Sequence, residues 1–492
     1  MNSFFISLCT LLALFLFLLA IARLTGKESG NDAFFSGSRK SPWPLVAFGM
    51  IGASISGVSV ISVPGYVGVT QMTYLQMCIG FFFGYIIVAF VLLPIYYRYH
   101  LTSIYSFLQM RFGRTSHVTG AYFFLFSKIG GAAVRFYLVT VVLHRLVFSP
   151  LGISWPLAIL LILLMVWAYT RKAGIRTLVY TDTLQTFLLI STVVATTFII
   201  GRQMYPSLSS MMSDILSSPL GRIWVWDDWS SRQNFWKQFL SGIFIVIVMT
   251  GLDQDMMQKN LTCSTLRKAQ KDMCSYGICF IPVNFLLLSL GVLLYSFASS
   301  QGISLPSAGD ALFPQLVQEG YFGPWVTILF VLAISSAAFS SIDSALTSLT
   351  TTFCIDILEV NKKPAIRAVS LRKRVHLGMA LLFFILTILF QLIGNKSVID
   401  VIYIMASYTY GPLLGLFSFG LFTRRLLRER FVPVVAVLSP LLSYGISLFT
   451  RYYWGIEPGY ELLLLNGLLC FFMLWAISTR SLSRDCRLMF SI

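Results

Sequence analysis

Residues 45–68 read LVAFGMIGASISGVSVISVPGYVG, and the fold turns on how this stretch is read. It is apolar and long enough to cross a bilayer, yet Gly49, Gly52, Gly57, Pro64 and Gly65 all fall inside one crossing. Glycine weakens a helix, and proline removes a donor and breaks it. In hydrocarbon an interrupted helix is tolerated where the freed backbone groups line a cavity or bind something. Discontinuous helices of this kind coordinate Na⁺ through unwound carbonyls. The spacing predicts unwinding near Gly52 to Gly57, which frees the carbonyls of Gly52 and Ile55. A close-packed crossing through small residues is the alternative.

A second stretch, 333–356, reads AISSAAFSSIDSALTSLTTTFCID. Ala337, Ser340, Ser341 and Ser344 recur at i, i+3, i+4 and i+7 and share one helical face, with Asp343 beside it. Hard cations prefer oxygen ligands. Hydroxyls and a free carbonyl supply them without burying a full charge. This face is read as half of a cation site whose other half is the broken helix; a small-residue packing face is the alternative.

The rest of the chain supplies the membrane setting. Of 492 residues 57% are hydrophobic and 11% are charged, against about 25% charged in soluble proteins. The apolar runs are continuous over about 20 residues, which excludes a transmembrane β-barrel. The chain is therefore expected to be an all-α polytopic membrane protein of about thirteen spans, near 4–22, 43–68, 73–97, 117–147, 154–170, 178–201, 236–257, 273–298, 324–356, 376–394, 398–422, 431–450 and 459–478. The first lacks a preceding basic residue and a cleavage site, so it reads as a retained span.

The net charge of +17 is not a nucleic-acid footprint. Of the 36 Lys and Arg residues, 27 fall in the loops 23–42, 98–115, 171–177, 258–272, 357–375 and 423–430 and in the tail from 479. These lie on one side of the spans, and the positive-inside rule places them in the cytoplasm with the N-terminus outside. The extracellular loop 202–235 carries WVWDDW at 224–229, an interfacial aromatic anchor or an outer lid. The eight cysteines show no metal spacing and no disulfide framework, and the four histidines form no ligand cluster. Isolated histidines and short loops argue against a membrane-embedded enzyme.

Several stretches together resemble the sodium:solute symporter family: NDAFFSGSRKSPW (31–43), SISGVSVISVPG (54–65), VYTDTLQ (179–185), GLDQDMMQKNLTCSTLRKAQ (251–270), SSAAFSSIDSALTS (335–348) and YGPLLGLFSFGLF (410–422). The resemblance implies a leucine-transporter-type fold, a 5+5 inverted-repeat core whose first core helix is discontinuous. The expected division is an extra helix and cytoplasmic loop at 1–42, a first repeat at 43–201, the extracellular loop at 202–235, a second repeat at 236–422, and two extra helices with the tail at 423–492. It also implies Na⁺-coupled symport of a small organic solute, with Na⁺, solute and lipid as partners. Proton coupling and a non-transporting sensor or channel are the alternatives. Carried over by position, the sodium site is Gly52, Ile55 and Ala337 through carbonyls and Ser340 and Ser341 through hydroxyls. A further cation site is implied at Asp182, Ser340, Asp343 and Ser344, with Asp343 standing where such members have a hydroxyl. A multi-pass bacterial inner-membrane protein is expected.

Solute is expected beside the break, near the bilayer midplane. The candidates are Ser56, Ser59, Gln76, Lys128, Arg135, Asp253 and Gln254. Lys128 and Arg135 are seven residues apart on one helical face. Either they face a solute carboxylate, which points to an acidic or zwitterionic solute, or they pair internally with Asp182 or Asp253. Gln76 is expected to make a helix-packing hydrogen bond before it touches solute, and Asp253 reads equally as a partner of Lys259 or Arg267.

Overall fold

The computed structural model describes residues 3–25, 34–35, 37–391, 398–455 and 458–479. Residues 31–33 and 36 of the motif at 31–43, residues 392–394 of the tenth expected span, Lys27, Lys396, Cys486 and the tail from 480 lie outside the described residues.

Each expected span coincides with apolar helix. Eight helices are long and apolar enough to cross a membrane, and three further crossings are pairs of helices bent at a short break. Trp155–Thr170 and Leu462–Ala476 are shorter apolar helices that complete the set. The chain between the fifth and sixth spans was expected to be a loop at 171–177. It is helical instead, part of a helical run from Trp155 to Met204. Strand is confined, among the described residues, to a two-residue antiparallel pair, Leu426–Leu427 with Ser478–Thr479.

The second span is interrupted, and more sharply than glycine spacing implied. Trp43–Ser54 and Gly57–Thr70 are separate helices bent by 54°, and the gap is Ile55 and Ser56 alone. Gly52 is therefore still helical, and Pro64 sits inside the outer half without ending it. Gly52 is needed for contact: a Cβ there would collide with Thr186 Oγ1 of the sixth span.

Two more spans break that the sequence reading left whole. The seventh runs Phe235–Gly251, then turns by 70° into Gln254–Asn260. A π-turn, Ile247–Gly251, leads into the bend. Asp253 caps the second piece by accepting from Asp255 N at 2.8 Å. The carbonyls freed at this break are claimed by tyrosines: Tyr96 OH donates to Gly251 O at 2.9 Å and Tyr105 OH to Leu252 O at 2.8 Å. The eleventh span bends by 45° at Tyr410, just before Gly411 and Pro412, where proline supplies no N–H to carry the helical ladder across the bend.

Outside the bundle, Leu208–Ser217 is an amphipathic helix with a Ser207–Ser210 capping box. The tryptophan loop folds back on the seventh span, with Trp226 4.0 Å from the Phe235 ring.

Candidate functional site

The gap in the second span lies against the ninth span, Gly323–Ile357. A Cβ on Gly57 would stand 3.6 Å from Ala337 Cβ and 3.7 Å from Ile334 O. At a helix break the last carbonyls of the first piece have no partner in the chain, so the carbonyls leading up to Ile55 are free to act as ligands. On the facing helix, Ser340 Oγ donates to Asp182 Oδ1 at 2.6 Å. Its proton is committed there, which leaves its lone pairs for a cation. Ser341 Oγ is buried with no hydrogen-bond partner. Ser336 and Ser335 hydroxyls on the same helix are buried and unpartnered as well. A buried polar atom without a partner is costly, and a cation is one way to satisfy it. The unpartnered Ser341 oxygen and the Ser340 lone pairs, beside the break that follows Gly52, are the oxygen chemistry that a small monovalent ion takes. Thr186 joins the two halves: it abuts Gly52 and donates to Asp182 O at 2.6 Å.

The residues of the further cation site also come together, but around a lysine. Lys259 Nζ stands 2.7 Å from Asp182 Oδ2 and donates to Ser344 Oγ at 2.6 Å. Asp343 is held by Tyr169 OH at 2.7 Å and by Ser344 Oγ at 3.3 Å. Asp182, Asp343 and Lys259 are all buried. The sequence reading counted Lys259 among cytoplasmic loop charges. The structure corrects this, because the bent end of the seventh span carries it into the core.

A cavity of about 110 Å³ opens beside the break. Five of the seven solute candidates line it: Ser56, Ser59, Lys128, Arg135 and Asp253. Gln76 and Gln254 do not. Gln76 ties down the outer loop, accepting from Val225 N at 3.1 Å and donating to Gln233 O at 2.9 Å. Gln254 is spent on Ile104 N and Thr102 O. A buried amide satisfies both its ends where it can, and here neighbouring backbone does so. The basic pair divides. Lys128 Nζ is 3.2 Å from Asp253 Oδ2 and 2.7 Å from Asp255 Oδ2, so Asp253 pairs with Lys128 rather than Lys259 or Arg267. Among the described residues Arg135 has no hydrogen-bond or ion-pair partner, and it faces the cavity half-buried.

Sequence reasoning missed the aromatic half of the wall: Tyr74, Phe81, Tyr85, Phe280, Tyr403 and Tyr410. Tyr410 OH also donates to Asp253 Oδ2 at 2.7 Å. Its signal was present, since Tyr410 precedes Gly411 and Pro412 at a helix break. The others are aromatic residues in aromatic-rich spans and carry no local mark.

Residues 34–429 match the family described as the sodium:solute symporter family. The chain belongs to the sodium:solute symporter family. Among relatives, it is 26% identical over 411 residues to the sodium-dependent multivitamin transporter of Oryctolagus cuniculus, covering 81% of this chain and 62% of that protein. It thus spans about three-fifths of that relative's length. It is 24% identical over 429 residues to the sodium/sialic acid symporter NanT of Aliivibrio fischeri, covering 85% of this chain and 82% of that one. Among solved structures, the substrate-bound outward-open state of a Na⁺-coupled sialic acid symporter aligns with TM-score 0.81 at 19% identity, covering 98% of this chain and all of the other. That likeness establishes the symporter-family fold: an inverted-repeat, leucine-transporter-type core with a discontinuous first core helix.

Proposed function

We propose that this member of the symporter family is a secondary active transporter that couples inward Na⁺ movement to uptake of a small acidic solute. The observation that carries the reading is the Arg135 guanidinium, which lines the cavity beside the break and makes no hydrogen bond or contact ion pair among the described residues. An arginine at membrane depth is expensive and is retained for a task. Arg binds carboxylate with two parallel hydrogen bonds. Lys128 is already neutralised by Asp253 and Asp255, so Arg135 is the cation left for a solute anion. That one relative is named for sialic acid agrees with an acidic solute. A zwitterion would use the same guanidinium and is the second reading.

The repeats are taken as 43–201 and 236–422. In support, the leading span of each is the sharply broken one, at 54° and 70°, as two halves of one inverted design require. The extra helix at 1–42, the outer loop at 202–235 and the helices and tail at 423–492 flank them. The charge asymmetry of the loops favours an outside N-terminus, a cytoplasmic C-terminus and a plasma-membrane location.

In this mechanism Na⁺ enters from outside and is held by the carbonyls of Gly52, Ile55 and Ala337 and the hydroxyls of Ser340 and Ser341. Bridging the broken helix to the ninth span fixes Ser56 and Ser59 at the cavity wall. The solute carboxylate then seats on Arg135, against the tyrosine wall. Each ligand binds better with the other present, and that coupling is reciprocal. Inner release requires the Lys128–Asp253–Asp255 cluster and the Tyr410–Asp253 bond at the two helix breaks to part.

Uptake of radiolabelled sugar acids, monocarboxylates, amino acids and neutral sugars into proteoliposomes, with Na⁺, K⁺ or H⁺ gradients, tests the reading. Accumulation of a carboxylate driven by Na⁺ alone is expected. Accumulation of neutral sugars only, or equal uptake without Na⁺, would refute it.

A further inference from the structure

Lys259 has no role in the scheme above, yet it is among the most deeply buried charges in the molecule. Its ammonium stands among the oxygens that the family resemblance groups as a further cation site. Asp182 Oδ2 is 2.7 Å away, Ser344 Oγ 2.6 Å and Asp255 Oδ1 4.0 Å. The other oxygen of Asp182 takes the Ser340 proton. Asp343 adds a second buried carboxylate where a hydroxyl is expected, held by Tyr169 and Ser344.

An ammonium is a compact monovalent cation with three donors and no acceptor. It satisfies this ring of oxygens as a metal ion would, but it is covalently attached and cannot be released on either side of the membrane. A mobile Na⁺ on the same Asp182 and Ser344 oxygens would stand against a like charge at contact distance, which the local geometry disfavours. Asp343 and Lys259 carry opposite charges in the same pocket, joined through Ser344.

We infer that Lys259 is a tethered cation that fills the further cation position permanently. The protein then carries one Na⁺ per solute, bound at the Gly52–Ser341 site alone, and Lys259 is the residue that sets this stoichiometry. The inference rests on the Na⁺-symport reading.

The test is a direct count of Na⁺ on the full-length purified chain by equilibrium ²²Na⁺ binding, with the Hill slope of Na⁺-driven uptake as a second readout. The wild type should bind one Na⁺ with a slope near one. Lys259→Ala vacates the pocket and should bind two, with a steeper slope, and the added equivalent should disappear in Lys259→Ala/Asp182→Asn. If Lys259→Ala does not fold, Lys259→Ser, whose short hydroxyl leaves the Asp182 and Ser344 oxygens open, should show the same second equivalent. Two equivalents in the wild type would overturn the inference while leaving Na⁺ symport intact. One equivalent in a folded Lys259 variant would overturn it too, because the pocket would then not be a cation site. No Na⁺ bound by the wild type would overturn the symport reading itself.

Discussion

Ser340 and Ser341 are sequence neighbours with opposite hydrogen-bond situations. Ser340 gives its proton to Asp182, whereas the Ser341 hydroxyl is buried with nothing to bond. Ser341→Ala is therefore expected to separate binding from stability. Loss of one ligand should raise half-saturating Na⁺ about tenfold, roughly 1.4 kcal/mol. Without Na⁺ the variant should melt no earlier than the wild type, since it no longer buries an unsatisfied hydroxyl. A lower melting point in Na⁺-free buffer would show that Ser341 is structural. Arg135 makes the complementary case. Arg135→Gln should weaken solute binding by about 2–5 kcal/mol, the scale for losing a desolvated charge pair, while Na⁺ still stabilises the protein in a thermal-shift assay. Unchanged solute affinity in that variant would remove Arg135 from the site.

At the scale of helices, what matters is where each one stops. The second span stops at Ile55–Ser56, and Gly52, one turn before the stop, lets it press on Thr186. Gly52→Ala adds a Cβ with no room, and overpacking of this kind costs about 1–3 kcal/mol. Unfolding of the detergent-solubilised protein should show that loss, and Thr186→Gly should recover part of it. An additive double variant would mean the two positions do not meet. The seventh-span break depends on Asp253 in two ways, as helix cap and as partner of Lys128 and Tyr410. Asparagine can cap but carries no charge, whereas alanine can do neither. Asp253→Ala should therefore be less stable than Asp253→Asn by about 1 kcal/mol, the usual value of a cap. Equal melting of the two variants would show that the cap contributes nothing here.

For the whole molecule the question is what the membrane potential can do. A charge crossing 100 mV gains about 2.3 kcal/mol, and a tenfold Na⁺ gradient supplies about 1.4 kcal/mol. With one Na⁺ and a monoanionic solute the translocated charge cancels, so only the gradient drives accumulation. Imposing 100 mV across proteoliposomes should then change steady-state accumulation less than about twofold. A zwitterion carried with one Na⁺ would instead respond by about fiftyfold, the same 2.3 kcal/mol written as a ratio. Steady-state uptake under valinomycin-set potentials distinguishes the two solutes.

The sequence by itself determined the spans, their apolar character and the broken second helix. Those properties are local: glycine, proline and hydropathy act within one or two turns of chain. It also placed Ser340, Ser341 and Asp343 on or beside one face, because helical periodicity fixes angular position without any knowledge of neighbours. The seventh-span break was weaker in the sequence, since Gly251 and Asp253 mark the end of a helix as readily as a bend within one. Which charges meet was decided only by the tertiary structure. Lys259 follows an apolar run and reads as a loop cation, yet a 70° turn at Leu252–Asp253 carries it to Asp182, 77 positions earlier in the chain. The same packing neutralises Lys128 and leaves Arg135 for the cavity. Pairing of buried charges depends on helix packing in three dimensions, and the order of residues along the chain does not encode it locally.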